Sequence, residues 1–468
     1  MTDGDAWTLS ATELIKLYRA GDLSPVEVTG AMLARIDELE PQLNAYVTRI
    51  PELAMENARR AEQAYADGTA GRLAGVPIAI KDLTPTKGIR STFGSLLYES
   101  YIPDEGTPDV ERLQAAGMVM LGKTTTPEFG WKGDSSNRVN GPARNPWNTE
   151  LTPGGSSGGS GAAVAAGLAT MASGSDGAGS IRIPSSFCGI YGLKPTTGLI
   201  PRVPSSMSLH SHIGPMSRTV ADAALFLSVA AGEDPRDRSS WSSGIDYSAE
   251  LEKSVDTSGL RVAWSPDLGY AEVEPEIVGI AGEAARQFES LGCRVEEAYP
   301  DAPDPWPVIE VVFATSQLSR HVDDLDEVRD RLDPGRVELL EHARRFTADD
   351  IMRAQNEWNG YYHVWREFME DYDIVLTPTM ACSPFPAGTH RPETVNGKPT
   401  TYLGWTGFAY PFNLTGQPAA TVPCGFTSAG LPVGLQIVGR YRDDLGVLRA
   451  SAAFEAMKPW PWLAAPFA

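Results

Sequence analysis

The chain has 468 residues, with 39 Lys and Arg against 60 Asp and Glu, which gives a formal net charge of −21. Nucleic acids and anionic membranes are bound through basic surfaces, so this balance argues against either as a partner. An apolar content of 42% with 21% charged residues is ordinary for a globular protein and excludes a disordered chain.

Several features predict a cytoplasmic protein. The amino terminus is acidic and lacks an apolar run, so we expect no signal peptide. The longest stretch of small apolar residues is about half the ~20 residues that a membrane-spanning helix needs. The four cysteines are far apart, which excludes Cys-x-x-Cys motifs and is typical of buried thiols in a reducing compartment. They are Cys188, Cys293, Cys382 and Cys424.

Residues 1–70 are predicted to form helices. Ser10 and Glu13 have the spacing of a capping box at a helix start. Ser24, followed by proline, marks the start of a second helix. Its apolar residues recur at helical spacing until Pro41, where we expect the helix to end.

Residues 71–230 alternate between short apolar strands, helices and long polar loops. The predicted strands are 76–80 and 118–121, the predicted helices are 108–117, 162–168 and 219–231, and the predicted loops are 133–161 and 174–204.

The remainder of the chain continues the alternation. Within 231–372, a strand at 260–263, a helix from Pro275 and a strand at 294–296 predict a βαβ-like unit, and 305–372 is predicted to be helical. Residues 373–468 are expected to supply late strands and a final helix. Those strands are 374–376, 420–422 and 434–438, and the helix starts near Leu445. Because strands and helices alternate throughout, the predicted class is α/β.

Two motif matches do not fit their usual structural context. Residues 117–124 match the phosphate-loop pattern, but the variable positions are Met, Val, Met and Leu, which predict a buried strand. Residues 154–158 match the nucleophile elbow Gly-x-Ser-x-Gly, yet a loop precedes them where that elbow needs a strand. His210 and His212 lack a third ligand nearby in sequence, so we predict loop residues and no metal site.

A glycine-rich segment at 154–198 is the main functional candidate. It holds 12 of the 46 glycines, together with apolar residues that a flexible linker would not carry. Ser180 follows several small residues whose amides can converge as an oxyanion hole, which makes it a candidate acyl-transfer nucleophile. A serine hydroxyl needs a base. Lys81, at the end of an apolar strand, is a candidate base because burial lowers the pKa of a lysine.

Ordered matches along most of the chain identify a family. The sequence resembles the amidase signature enzymes at 75–82, 122–129, 141–147, 152–160, 175–184, 187–189, 192–195 and 412–418. This resemblance implies an amidase signature fold, in which helices flank both faces of a large mixed β-sheet. It also implies one domain over 1–468, with outer helices at 1–70, a catalytic core at 71–230, a variable region at 231–372 and core strands at 373–468.

The resemblance implies a Ser-Ser-Lys triad. Ser180 matches the family nucleophile, Lys81 the catalytic lysine, and Ser156 the bridging serine, which usually follows a cis peptide bond. Ser157 and Asp176 match supporting positions. The backbone amides that match the oxyanion hole are those of Gly177, Ala178, Gly179 and Ser180. Ala178 departs from the glycine usual there, and we expect Ala178→Gly to have a modest effect on turnover.

The expected function is hydrolysis of the C–N bond of a small apolar or aryl carboxamide, or a related hydrazide or anilide. The product would be a carboxylate plus ammonia or an amine, formed through a Ser180 acyl-enzyme. The region 300–412 is rich in aromatic residues, which suggests an apolar pocket. Trp131, Phe385 and Trp405 are the predicted pocket residues. No cofactor or metal is expected, and the partner is the small-molecule amide, with a homodimer as a further expectation from the family.

Two alternatives remain open. One is the glutaminase component, or A-subunit, of a tRNA-dependent amidotransferase, although such proteins usually have Gln at the position of Ile183. The other is a catalytically inactive relative that only binds, against which the intact triad argues.

Overall fold

A computed structural model describes residues 3–204, 209–253, 255–460 and 467 of the protein. The strands of the described residues are β1 (Tyr46–Arg49), β2 (Pro77–Lys81), β3 (Val119–Thr124), β4 (Ser136–Asn137), β5 (Gly141–Pro142), β6 (Met171–Asp176), β7 (Tyr191–Lys194), β8 (His212–Ser217), β9 (Arg261–Trp264), β10 (Arg294–Glu297), β11 (Ile374–Pro378), β12 (Thr394–Val395), β13 (Lys398–Pro399), β14 (Ala419–Phe426) and β15 (Pro432–Gly439).

The helices of the same residues are α1 (Ala11–Ala20), α2 (Pro25–Leu43), α3 (Pro51–Ala66), α4 (Pro108–Ala115), α5 (Gly158–Ala165), α6 (Arg182–Cys188), α7 (Val220–Ala230), α8 (Tyr247–Leu251), α9 (Pro275–Arg286), α10 (Trp306–Leu318), α11 (Leu325–Val328), α12 (Pro334–Ala343), α13 (Ala348–Asp371), α14 (Tyr410–Leu414) and α15 (Asp444–Met457). Short 3-10 turns lie at Asp3–Thr8, Leu96–Tyr98, Glu128–Gly130, Gln287–Leu291, Arg329–Arg331 and Gly404–Thr406.

Eleven strands form one mixed sheet in the order β1-β3-β2-β6-β8-β7-β14-β15-β11-β9-β10. β2 runs parallel to β3 and β6, whereas the central strands from β6 to β15 pair antiparallel. β9, β10 and β11 are again parallel. The predicted α/β class with a large mixed sheet is therefore confirmed.

Side chains of the sheet alternate between two apolar clusters, as the period of two in a strand requires. Along β3, Val119 and Leu121 join a cluster with helices α2, α3 and α5. Met118 and Met120 point the other way, into a cluster with α4, α7 and α9. Helices therefore cover both faces of this part of the sheet.

The helix starts predicted at Ser10 and Ser24 are confirmed. Ser10 and Ser24 each accept a hydrogen bond from the first turn of α1 and α2, and the glutamate side chain three residues later bonds back to the cap amide in both. The expected stop at Pro41 is wrong by two residues, because α2 continues to Leu43. The left-handed conformation of Asn44 then ends that helix.

The predicted loop at 174–204 is the main error in the element assignment. This segment contains the end of β6, helix α6 and strand β7. β6 reads Met-Ala-Ser-Gly-Ser-Asp, so it lacks the β-branched and aromatic residues from which strands are predicted. The helix predicted at 162–168 begins earlier, at Gly158. Its first turn consists of glycine and serine, which do not predict a helix. Strands β1 and β8 are also absent from the prediction.

Later elements follow the prediction more closely. β9, α9 and β10 form the βαβ unit, with β9 and β10 parallel and in continuous register from Arg294 opposite Arg261. Among the described residues, no helix is long and apolar enough to cross a membrane.

Candidate active site

The site lies where two parallel strands end side by side. Lys81 is the last residue of β2, and Asp176 is the last residue of its neighbour β6. Because the carboxyl ends of parallel strands meet at one edge of a sheet, this topology brings together residues that are almost a hundred positions apart. The Lys81 amide donates to Ser173 Oγ at 3.1 Å, which fixes the two strand ends to each other.

The Lys81 amino group lies fully buried among hydroxyl groups. Its Nζ donates to Ser156 Oγ and Ser157 Oγ, both at 2.8 Å, and to Ser175 Oγ at 2.9 Å. A further contact of 3.3 Å reaches the Ser175 carbonyl. These partners are neutral, so the lysine is solvated by serines and not by a directly bonded carboxylate.

The surroundings of Lys81 favour its neutral form. Burial lowers the pKa of Lys81 well below its ordinary value, and the positive charge of Arg202 lowers it further. The negative charge of Asp176 acts in the opposite direction but does not outweigh burial. A lysine with a lowered pKa can accept a proton at neutral pH, as a general base must.

Ser156 is the serine to which the resemblance assigns the bridging role. The peptide bond between Gly155 and Ser156 is cis, as the resemblance implies for the bridging serine. Its hydroxyl accepts the Lys81 hydrogen bond, and both Ser156 and Ser180 line the same cavity. Among the described residues, the two serine hydroxyls do not hydrogen bond to each other. Catalytic hydrogen bonds are often long before substrate binds and shorten in the complex.

Backbone hydrogen bonds order the loop that carries Ser180. The Ser157 amide donates to the Ser180 carbonyl at 3.2 Å, which ties this loop to the one containing Ser156. Gly179 adopts φ +113, and a Cβ there would lie 2.7 Å from the Ala409 Cβ. The position therefore requires glycine for both its conformation and its space.

One of the four amides predicted to form the oxyanion hole is engaged elsewhere. The Gly179 N–H donates to Asp176 Oδ1 at 2.7 Å, which corrects its assignment as a free donor. The N–H groups of Gly177, Ala178 and Ser180 make no hydrogen bond to the described residues. Gly177 and Ser180 also line the cavity, so these three amides are the remaining candidate donors.

Asp176 holds the loop through a buried ion pair. Its carboxylate accepts from Arg182 Nε at 3.0 Å and from Arg182 Nη2 at 2.9 Å, and Asn413 Nδ2 donates to it at 2.9 Å. Burial alone would raise the pKa of Asp176, but the charge and hydrogen bonds of Arg182 and Asn413 outweigh burial and lower it. The Asp176 carboxylate therefore holds this loop through Arg182 and Asn413, and the supporting roles of Asp176 and Ser157 in catalysis stay predictions from the resemblance.

A cavity of about 300 Å³ opens onto the serines. Ser156, Ser175, Gly177 and Ser180 form its floor. One wall is aromatic: Phe93 packs on Phe129 with ring centres 6.0 Å apart, and Tyr98 and Tyr101 pack edge-on or stacked against the same cluster. Other lining side chains include Leu83, Ile213, Phe313, His210, Arg202 and Arg320.

The three predicted pocket residues do not line this cavity. Phe385 and Trp405 are buried against each other, with ring centres 5.2 Å apart, in the core beside Phe187. Trp131 borders a separate cavity of about 280 Å³ and packs on Tyr402. Aromatic content alone does not separate core residues from lining residues, so the pocket assignment is corrected to the residues above.

Two groups of site residues are not predicted from the sequence. Ser175 is a direct partner of Lys81, and its only signal is its place in the serine-rich strand end beside Asp176. The aromatic wall comes from residues 93–101 and 129, ahead of the glycine-rich segment, whereas the aromatic content of the sequence points to the later part of the chain.

Most of the phosphate-loop match forms strand β3, as its apolar variable positions predict, whereas the loop predicted for both histidines is wrong for His212, which lies in β8. Residues 119–124 of the phosphate-loop match form β3, and the buried Lys123 donates to Thr86 Oγ1 at 3.0 Å and Ser91 Oγ at 3.2 Å. His212 contacts Thr197 Oγ1 at 2.8 Å, as a packed residue of β8. Among the described residues, no cluster of three His, Cys, Asp or Glu side chains could hold a metal ion.

Comparisons with known proteins identify a family for this chain. The sequence model of the family described as Amidase matches residues 27–448. An acylamidase of Rhodococcus erythropolis is 41% identical over 469 residues, covering 98% of each chain. The A-subunit of a glutamyl-tRNA(Gln) amidotransferase from Roseiflexus sp. (strain RS-1) is 36% identical over 97% of each chain. The crystal structure of a bacterial aryl acylamidase of the amidase signature family superimposes with a TM-score of 0.90 at 31% identity, covering 98% of each chain.

Proposed function

This chain belongs to the amidase family and is an amide-hydrolysing enzyme, and from that premise we propose that it cleaves small aryl or apolar carboxamides through an acyl-enzyme on Ser180. The observation that carries the proposal is the hydrogen bond from the buried Lys81 to Ser156, on the floor of a cavity that Ser180 also lines. Ser-Ser-Lys chemistry needs a neutral lysine, and burial lowers the pKa of Lys81 in that direction.

The first step forms the acyl-enzyme. Neutral Lys81 takes the proton of Ser156 while Ser156 takes that of Ser180. The Ser180 oxygen then bonds to the amide carbon. Negative charge develops on the carbonyl oxygen, where the amides of Gly177, Ala178 and Ser180 can donate to it. Losing one such donor costs about 2.7–4 kcal/mol in a comparable enzyme.

The second half of the reaction releases both products. Ser156 returns a proton to the leaving nitrogen as the C–N bond breaks, and Lys81 replaces the proton on Ser156. Water then attacks the Ser180 ester with the same serine and lysine taking its proton. The carboxylic acid leaves, and Ser180 regains its hydrogen.

The aromatic wall supports the substrate class. Phe93, Phe129 and the two neighbouring tyrosines offer ring faces and edges to an apolar or aryl group held above Ser180. The acylamidase and aryl acylamidase relatives carry names that fit the same class. Anilides therefore come before hydrazides and esters in this proposal.

A panel of neutral amides tests the proposal. We expect acetanilide and 4-methylacetanilide to be hydrolysed with a higher kcat/KM than acetamide, and Ser180→Ala to abolish turnover of all three. Ser428→Ala is a matched control, because Ser428 lies on an exposed turn outside the cavity, where its amide bonds to Glu276. Turnover of acetamide alone, or full activity in Ser180→Ala, would overturn it.

A second candidate function follows from the identity of 36% to an amidotransferase A-subunit. In that case the amide would be that of glutamine, and the ammonia would pass to a partner protein. Ile183, buried against Gly154 and Gly179, stands where such proteins usually have Gln. Glutaminase activity together with a stable complex on co-purification would favour this candidate over the acylamidase.

The proposal extends to cell location, assembly and domain structure. The four buried cysteines are free thiols, which supports a reducing compartment such as the cytoplasm. A single domain over 1–468 is supported by strands from Tyr46 to Gly439 in one sheet. A homodimer rests on the family resemblance, and sedimentation analysis of the purified protein tests it.

A further inference from the structure

The cavity above Ser180 is cationic although the chain is acidic. Its described lining residues include two arginines, Arg202 and Arg320, and no Asp or Glu. In a chain with 60 acidic and 39 basic residues, an average surface patch would have the opposite balance. The charge of this wall is therefore a local property of the site.

Arg320 is held without a carboxylate partner. It follows the end of α10, and its guanidinium carbon lies 5.3 Å from the centre of the Phe129 ring. Among the described residues it takes part in no ion pair. A cation–π contact positions the group at the aromatic wall while leaving its N–H donors available.

Arg202 lines the same cavity. The nearby Asp237 carboxylate accepts from the Arg202 amide at 2.9 Å and from Ser239 Oγ at 2.6 Å, and its charge raises the pKa of Arg202. The pKa of Arg202 is lowered to about 10, first by burial and then by the charge of Arg320. The two guanidinium groups therefore face a shared space and repel each other there.

We propose that the amide substrate carries a carboxylate, which binds between Arg202 and Arg320 while its aryl or apolar part lies on the Phe93–Phe129 wall. This inference rests on the proposed function, since it places the amide carbonyl at Ser180. Within the proposed substrate class, the inference specifies amides that carry an anionic group on the acyl or the amine side.

The chemistry favours a carboxylate in this position. Guanidinium groups match carboxylates with paired hydrogen bonds, and such charge-assisted bonds are stronger than neutral ones. An anion between the two arginines also removes their mutual repulsion. A neutral amide of the same shape would make no such charge-assisted bonds with either guanidinium group.

Two pairs of substrates test the inference. N-phenylsuccinamate is paired with N-phenyl-4-oxopentanamide, and 4-acetamidobenzoate with 4-acetylacetanilide. In each pair a carboxylate is replaced by a methyl ketone of similar shape. We expect at least one carboxylate member to have a kcat/KM about tenfold or more above its ketone.

Variants assign the preference to the arginines. Arg320→Gln and Arg202→Gln should each reduce the carboxylate-to-ketone ratio at least about threefold, whereas Arg320→Lys should keep part of it. Arg353→Gln is the matched control, since Arg353 is highly exposed on α13 and should leave the ratio unchanged.

The outcomes separate the two proposals. A carboxylate-to-ketone ratio of one or below in both pairs would overturn the inference, and so would an unchanged ratio in both Gln variants. In either case, hydrolysis of the ketones would still support the proposed amidase function. If no member of either pair is hydrolysed, the inference and the proposed substrate class both fail. The carboxylate-to-ketone ratio is also measured on the wild-type enzyme, so the inference can be tested even if a variant folds poorly.

Discussion

The catalytic floor and the cavity wall are built in opposite ways. The floor consists of Lys81 and residues 156–182, joined by direct hydrogen bonds at the ends of two paired strands. Among the described residues, the wall is assembled from separate parts of the chain, at 83–107, 129–130, 202–204, 210–213 and 313–320. We propose that the floor carries out the chemistry, whereas the wall determines which amide is bound.

If the chemistry resides in the floor, the largest effect should come from Lys81→Met. Removing the base should lower kcat/KM for every amide at least about 1000-fold, because triad residues act as a unit. The loss should be similar for carboxylate and ketone substrates. Steady-state hydrolysis of the substrate pairs measures it.

Lys16→Met provides the control for this change, since Lys16 is exposed on α1 and outside the cavity. It should retain wild-type rates. If Lys81→Met hydrolysed one substrate of a pair at the wild-type rate, Lys81 would not be required for every amide, and the assignment of the chemistry to the floor would be wrong.

The next effect concerns the support of the floor. Arg182→Met leaves the buried Asp176 carboxylate without its ion pair and should cost about 3–5 kcal/mol of unfolding free energy. Denaturant unfolding followed by fluorescence measures it. Arg366→Met, which removes an exposed pair with Glu370, should change stability far less. Equal losses in the two variants would contradict the structural role of the buried pair.

The smallest expected effect tests whether a charge in the cavity wall changes the pKa of Lys81 on the catalytic floor. The charge of Arg202 lowers the pKa of Lys81, so Arg202→Gln should raise that pKa. Because the base works when neutral, the acid limb of kcat/KM against pH should move to higher pH. The limb should stay in place in Arg353→Gln. A shift to lower pH, or none, would show that the two regions are electrostatically independent.

The floor was largely predictable from the sequence because its residues lie in contiguous motifs. Lys81, Ser156, Ser157 and Asp176 could be identified as candidates, and the hydrogen bonds join Lys81 to both serines. The Gly179 amide could not be assigned correctly, because its direction depends on a positive φ and on where the Asp176 carboxylate lies.

The wall was not predictable for a physical reason. Phe313 lines the cavity whereas Phe385 lies in the core, yet both are aromatic residues in the same aromatic-rich region, 300–412. Only the packing of distant segments decides between the two outcomes. The same holds for strand β6, whose small residues pair because its neighbours β2 and β8 impose the extended conformation.

The central claim is that Ser180 is the nucleophile, activated from Lys81 through Ser156. The most direct measurement is intact-mass and peptide mass spectrometry after treatment with a fluorophosphonate. The account predicts a single adduct that maps to Ser180 and forms far more slowly in Lys81→Met and Ser156→Ala. An adduct on Ser156 or Ser175, or no adduct on an enzyme that hydrolyses anilides, would contradict it.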